Sequence, residues 1–237
     1  MTNNLAHPQM LLDLRPEQVP SFENFVTGQN AELVARLATL ADPEVCDQIY
    51  VWGPLGSGRS HLLRATLLAA EARRRPARLV AAAQIGDQLA TTPNGLLILD
   101  DVDSLSDTGQ VTLFRTFNSA RQIGLALLMS GPLPPLGLQT TLREDVRTRI
   151  GSSMIYQVQA LSDAEKAAAL RQHGLNRGMN LEDQLIDYLL RHGRRDLPSL
   201  LGVLDALDRA SLEQQRPLTL PLLREILQTS LELRAYP

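Results

Sequence analysis

The sequence predicts an α/β fold, a parallel five-stranded sheet flanked by helices, followed by a small all-helical domain. Three observations carry this reading. Short apolar runs at 49–52, 78–82, 96–101, 125–129 and 155–158 alternate with helical periodicity. Strands alternating with helices form parallel, right-handed α/β units. A glycine-rich turn, Gly53-Pro54-Leu55-Gly56-Ser57-Gly58-Arg59-Ser60, joins the first run to a helix. Beyond Gln159 the pattern is helical only, with helices expected over 163–173, 181–192, 197–213 and 219–231. The resulting division is an arm at 1–20, an α/β domain at 21–159 and a helical domain at 160–237.

Composition is that of a soluble globular chain. Of the 237 residues, 44% are hydrophobic and 21% charged, with a formal net charge of -3. So mild an acidic balance argues against a general nucleic-acid coat, although local basic patches remain compatible with it. The lone Cys46 excludes an internal disulfide framework and suits a reducing cytoplasm. There is no signal peptide and no apolar run long enough to span a bilayer. Lys166 is the single lysine among 23 basic residues, so arginine is the chain's general choice of cation.

In the arm, Asn3, Asn4, Pro8, Pro16 and Pro20 discourage regular structure. Gln9-Met10-Leu11-Leu12-Asp13-Leu14 nevertheless carries four apolar residues within five positions. It either packs on its own domain or docks in a partner's groove. A polar-aromatic segment, 21–28, and a helix over 30–40 precede the first strand. On the helix after the glycine-rich turn, Leu62, Leu63, Ala65, Thr66 and Ala69 can face a sheet. Pro93-Asn94-Gly95 is a turn, and it opens a strand ending in Asp100 and Asp101. A helix with Val111, Phe114 and Phe117 follows. The fourth run ends at Ser130-Gly131, and Pro132, Pro134 and Pro135 then force a loop. Ser162-Asp163-Ala164-Glu165 is a capping box opening the helical domain.

The turn fits the phosphate-loop pattern G-x4-G-K-[S/T] at every fixed position except one, where Arg59 replaces lysine. Glycines at Gly53, Gly56 and Gly58 let backbone N–H groups converge on phosphate oxygens, and Ser57 and His61 flank the same site. The helix N-terminus adds partial positive charge. Ser60 is placed to ligate Mg²⁺. Arginine is longer than lysine and offers a planar fork, so the replacement changes the contact. Asp100 and Asp101 are expected to end a strand lying beside the phosphate-loop strand. There Asp100 would hold Mg²⁺ and Asp101 would polarise water, although aspartate is shorter than the usual glutamate. Ser130 is either a phosphate contact or a backbone cap. Arg143, Arg147 and Arg149 fall on what reads as a loop between the fourth and fifth strands. Each is either solvated or supplied to a neighbour's phosphate. Arg195 either folds over the phosphates or pairs with a carboxylate at a helix start.

Together these pieces resemble the DnaA branch of the AAA+ ATPases over about residues 21 to 230. The resemblance rests on Phe22-Glu23-Asn24-Phe25-Val26-Thr27-Gly28, on Gly58-Arg59-Ser60-His61-Leu62-Leu63-Arg64-Ala65 and on Leu97-Ile98-Leu99-Asp100-Asp101. It extends to Arg195-Asp196-Leu197 and to Arg216-Pro217-Leu218-Thr219-Leu220 with Arg224-Glu225-Ile226-Leu227. It implies the AAA+ P-loop fold with the helical domain as lid. Ser130 would be at sensor 1, Arg149 of Val146-Arg147-Thr148-Arg149-Ile150 at the arginine-finger position, and Arg195 at sensor 2. Gly131-Pro132 departs from the polar pair often found after sensor 1.

Two features separate the chain from an initiator. It ends at Pro237 without the expected helix-turn-helix domain, and Gln9, Met10, Leu12 and Leu14 resemble a bacterial sliding-clamp-binding motif, Q-L-x-L-x-L. The resemblance therefore implies a regulatory inactivator within this branch. Such a protein holds ADP or ATP with Mg²⁺, docks on the DNA-loaded clamp and stimulates ATP hydrolysis by the initiator DnaA. DNA would be met only through the clamp, and homodimerisation is open. Two other readings stand beside it: a self-sufficient ATPase of helicase-loader type, separable by turnover of the purified protein, and a DNA-binding factor of the same fold, separable by a mobility shift at physiological salt.

Overall fold

The computed structural model describes residues 19–232, which divide into two compact units, 19–161 and 162–232. The first is a five-stranded sheet in the order β2-β3-β4-β1-β5, every neighbouring pair parallel. Its strands are β1 (Gln48–Trp52), β2 (Ala77–Ala81), β3 (Leu96–Asp100), β4 (Ala126–Gly131) and β5 (Met154–Gln157). Helices α1 (Ala31–Leu40), α2 (Arg59–Ala72), α3 (Asp107–Ala120) and α4 (Glu144–Gly151) cover it.

The two-residue period of a strand sends alternate side chains to opposite faces. Ile49, Val51, Leu96, Ile98 and Leu128 accordingly join Leu37 of α1 and Leu62 and Leu63 of α2 in one core. Tyr50, Leu97, Leu99, Leu127 and Met129 join Leu113 and Phe117 of α3 and Val146 and Ile150 of α4 in the other. On α2 the sheet-facing set includes Leu62, Leu63, Ala65 and Thr66 as expected, with Ala70 fully buried and Ala69 only partly so.

Two expectations need correction. The acidic strand β3 does not lie beside β1, because β4 is inserted between them. Strand order is set by crossovers, and sequence order does not encode it. The stretch carrying Arg143, Arg147 and Arg149 is not a loop throughout: Glu144–Gly151 is helical, with Arg143 as N-cap. Its two apolar contacts, Val146 and Ile150, lie one turn apart and sit in an otherwise polar stretch behind three prolines, so periodicity is faint there.

Arg75, three residues past the end of α2, is 1% exposed. Its guanidinium donates to four carbonyl oxygens: Leu40 at 2.7 Å, Asp42 at 2.5 Å, Gly95 at 2.8 Å and Asn94 at 3.1 Å. One side chain thus ties the end of α1 to the turn before β3. Asn30, 3% exposed, performs a similar office near the phosphate loop. Its amide donates to the carbonyls of Thr27 (3.1 Å) and Gln159 (3.0 Å), and its Oδ1 accepts the Gln159 N–H at 2.7 Å.

The second unit packs α5 (Asp163–Asn176), α6 (Asp183–His192), α7 (Leu197–Gln214) and α8 (Leu220–Glu232) around Leu170, Ile186, Leu189, Leu204, Leu207 and Leu223. The capping box at Ser162 and Glu165 is formed. Asp205 of α7 accepts from His173 of α5 (2.7 Å) and from Arg177, the C-cap residue of α5 (2.8 Å), tying the two helices together. Among the described residues no helix is long and apolar enough to cross a membrane.

Candidate functional site

The C-terminal end of β1 runs into the glycine-rich turn, and α2 begins at Arg59. Gly56 (φ 79) and Gly58 (φ 101) occupy left-handed backbone that side chains resist, and Gly58 caps α2 without any side-chain hydrogen bond. A Cβ on Gly58 would come within 2.7 Å of the Phe25 ring, and one on Gly53 within 2.8 Å of the Val158 carbonyl. The turn is therefore packed closely by the leading segment and by the chain leaving β5. Ser57 Oγ is buried with no hydrogen-bond partner among the described residues. A buried hydroxyl normally finds one. A free hydroxyl, the uncapped start of a fourteen-residue helix and two glycines in tight register form a donor set that fits a phosphate.

His61 is engaged with the leading segment. Its Nε2 lies 2.9 Å from the Ser21 carbonyl and its ring 5.4 Å from that of Phe25, so it braces the leading segment against α2.

Across the sheet edge the acidic pair is held by β4. Ser60 donates to Asp100 Oδ2 at 3.3 Å, and Ser130 donates to Asp100 Oδ1 at 2.5 Å. The same Ser130 hydroxyl accepts the Asp101 N–H at 2.9 Å. Ser130 is wholly buried, and its two bonds make it the clamp of the Asp100-Asp101 step rather than a group reaching for ligand. Asp100 with Ser60 has the hard-oxygen character that Mg²⁺ requires, and these two residues could hold that ion beside a bound phosphate. Among the described residues no cluster of three His, Cys, Asp or Glu side chains supplies an all-protein metal site. Asp101 departs from expectation in conformation: its backbone is left-handed (φ 55, ψ 64), and its carboxylate accepts from Arg59 Nη1 at 2.9 Å.

Reading the sequence did not single out Tyr50. Its hydroxyl donates to the Leu133 carbonyl at 2.6 Å and lies where a Cβ on residue 131 would overlap it. Burial, then the charge of Asp103, pushes the phenol's pKa well above its usual value. The glycine after Ser130, a departure from the polar pair of the resemblance, thus has a steric cause.

The three arginines near α4 differ in their environment. Arg143 is exposed and spent on Asp145 (3.2 Å). Arg147 is half-buried. Arg149 is exposed, donates to the neutral Asn118 at 2.8 Å and lies 5.6 Å from the Phe114 ring centre, so α3 orients its guanidinium without neutralising it. Arg195 is exposed on the second unit, directly before Asp196, the N-cap of α7. Gln9, Met10, Leu12 and Leu14 lie outside the described residues.

Comparison with known proteins agrees with this arrangement. Residues 163–227 match the family model described as Hda, lid domain. Domain III of the Thermotoga maritima replication initiation protein DnaA superposes with TM-score 0.72 at 15% identity, covering 90% of this chain and 97% of that one. AMPPCP-bound DnaA from Aquifex aeolicus gives TM-score 0.68 at 18% identity, with 83% and 67% covered. A Thermotoga maritima RuvB variant gives 0.70 at 13% identity, with 92% and 73% covered. The fold, a parallel five-stranded sheet between helices with a helical unit following, is that of the AAA+ proteins. Within that class the chain is similar to the Hda and DnaA proteins, its second unit matching the Hda lid domain.

Proposed function

We propose that the protein is a nucleotide-bound regulator of replication initiation that acts on DnaA. The observation carrying this reading is the contrast between its own phosphate site and Arg149. At the phosphate site the arginine of the loop is paired with the carboxylate that would polarise water, which draws that carboxylate away from activating water for hydrolysis. Arg149 is exposed, oriented by Asn118 and Phe114, and forms no ion pair with a carboxylate among the described residues.

Gly56, Ser57, Gly58, Arg59 and Ser60 would hold the phosphates of ADP, and Ser60 with Asp100 would hold Mg²⁺. Bound nucleotide supplies anionic oxygens for these donors and stabilises the folded unit by mass action. The His61–Ser21 contact and the Phe25 ring keep the leading segment against the loop. Arg149 acts outside this site, on the γ-phosphate of nucleotide held by DnaA. Charge spread over the transferring phosphoryl makes a guanidinium contact stronger in the transition state than in the ground state. In this reading Gln9, Met10, Leu12 and Leu14 carry the protein to the sliding clamp on DNA, and DnaA is left in its ADP form.

The test is DnaA ATP hydrolysis in the presence of clamp-loaded DNA. Arg149→Ala should keep nucleotide and clamp binding yet lose nearly all stimulation, since fingers of this kind are worth on the order of 10³–10⁵ in rate. Lysine should restore little, lacking the fork. Normal stimulation by Arg149→Ala, with loss in Arg147→Ala or Arg143→Ala, would move the finger. Normal stimulation by all three would end the trans-acting mechanism. Rapid multiple turnover by the isolated protein would favour a self-sufficient motor instead.

A further inference from the structure

We propose that Asp101 and nucleotide phosphate compete for the same guanidinium, so that the Arg59–Asp101 pair is an internal lock on the phosphate loop. The inference rests on the phosphate-site reading above.

Arg59 heads α2, and its side chain is 9% exposed; Asp101 lies 42 residues away with a side chain 54% exposed. The two halves of the pair are therefore unequal. The guanidinium is fixed in the wall of the site, whereas the carboxylate can swing into water without desolvation. The backbone of Asp101 does not move with it. Its N–H is held by Ser130, and its carbonyl accepts both the N–H (3.0 Å) and the hydroxyl (2.7 Å) of Ser104. The left-handed conformation of Asp101, unusual for a residue with a side chain, is pinned from both sides and aims the carboxylate at Arg59.

A carboxylate presents two anionic oxygens with the spacing a guanidinium fork engages, as does a phosphate. Lysine, the loop's usual cation, is a compact point charge on a flexible stem, whereas arginine's rigid fork fixes one preferred geometry. An anion arriving at the loop must displace Asp101 or share Arg59 with it. Asp101 is thereby a positioning residue: it keeps Arg59 in place when phosphate leaves, and opposes phosphate when it arrives.

The effect has opposite signs in two measurements, which a general removal of negative charge does not. Titration of the full-length protein with Mg·ADP should show that Asp101→Asn binds roughly three- to tenfold tighter than the parent. The nucleotide-stripped Asp101→Asn protein should melt about 2 °C lower than the stripped parent. In an Arg59→Gln background both changes should disappear, because there is no fork to release. If Arg59→Gln binds too weakly to titrate, the melting cycle on stripped protein decides by itself. An equal affinity gain in both backgrounds would reduce the effect to simple electrostatics and overturn the lock. So would an unchanged or higher melting temperature for stripped Asp101→Asn. If the parent shows no Mg·ADP binding at millimolar concentration, the phosphate-site reading fails, a result distinct from failure of the melting cycle.

Discussion

Replacing Gly131 with alanine should damage the first unit through one atom. A Cβ at this position would overlap the Tyr50 hydroxyl and stand 3.2 Å from its ring carbon Cζ. Tyr50 is fully buried between packed strands, so the phenol cannot rotate away without losing its bond to the Leu133 carbonyl. Overpacking costs about 1–3 kcal/mol, and the lost hydrogen bond adds about 1 kcal/mol, giving roughly 2–4 kcal/mol in all. Tyr50→Phe removes the clashing oxygen at a cost of about 1 kcal/mol by itself. Alanine at 131 should then cost at least about 1 kcal/mol less in the Tyr50→Phe background than in the parent. Urea unfolding followed by tryptophan fluorescence is the assay, since Trp52 ends β1 and is the only tryptophan, so the signal reports this unit. The pH dependence provides a second check. With its folded pKa raised, Tyr50 stays protonated where the unfolded phenol ionises, so stability should fall as pH rises above about 10, and less steeply in Tyr50→Phe. A Gly131→Ala cost under about 0.5 kcal/mol, or an equal cost in both backgrounds, would refute the steric argument.

Arg75→Met should lower stability by roughly 3–5 kcal/mol in the same urea assay, because four carbonyls lose a buried charged donor together. Ser57→Ala should leave the stripped protein as stable or slightly more so, having removed an unpartnered hydroxyl, while weakening Mg·ADP retention measured by equilibrium dialysis. Asp196→Ala should destabilise the helical unit by about 0.5–2 kcal/mol at neutral pH through loss of the α7 cap. Burial raises that carboxyl, but the Ser199 hydrogen bonds and Arg194 outweigh it and leave its pKa lowered. The contribution is thus present above the unfolded carboxylate range and fades as pH falls through the folded value, which helix melting by circular dichroism at pH 7 and pH 3 would reveal.

The phosphate loop was legible because its requirements are local: glycine where φ is positive, a hydroxyl at the helix start, a strand before and a helix after. The capping box at Ser162 was legible for the same reason. Strand order was not, since β4 slips between β1 and β3 by a crossover that leaves no mark in either strand. Helix α4 escaped notice because eight residues with two apolar contacts give little period. The fate of Arg59 was beyond local reading too. Its replacement of lysine was plain in the sequence, but its carboxylate partner is reached only through the fold. Gly131 looked like a departure from a pattern until Tyr50, on the neighbouring strand, supplied its reason.

The Asn30 amide has a practical consequence for dissecting the chain. The last strand ends at Gln157, and a fragment trimmed there would retain every element of the sheet. It would nonetheless lose both hydrogen bonds that Asn30 exchanges with Gln159, leaving the Oδ1 of a buried carboxamide without its donor and its amide with the Thr27 carbonyl alone. The natural cut lies a few residues later, at Leu161, where the first compact unit ends. A deletion series stepping back from residue 161 should therefore lose solubility abruptly on passing Gln159, well before any strand is touched.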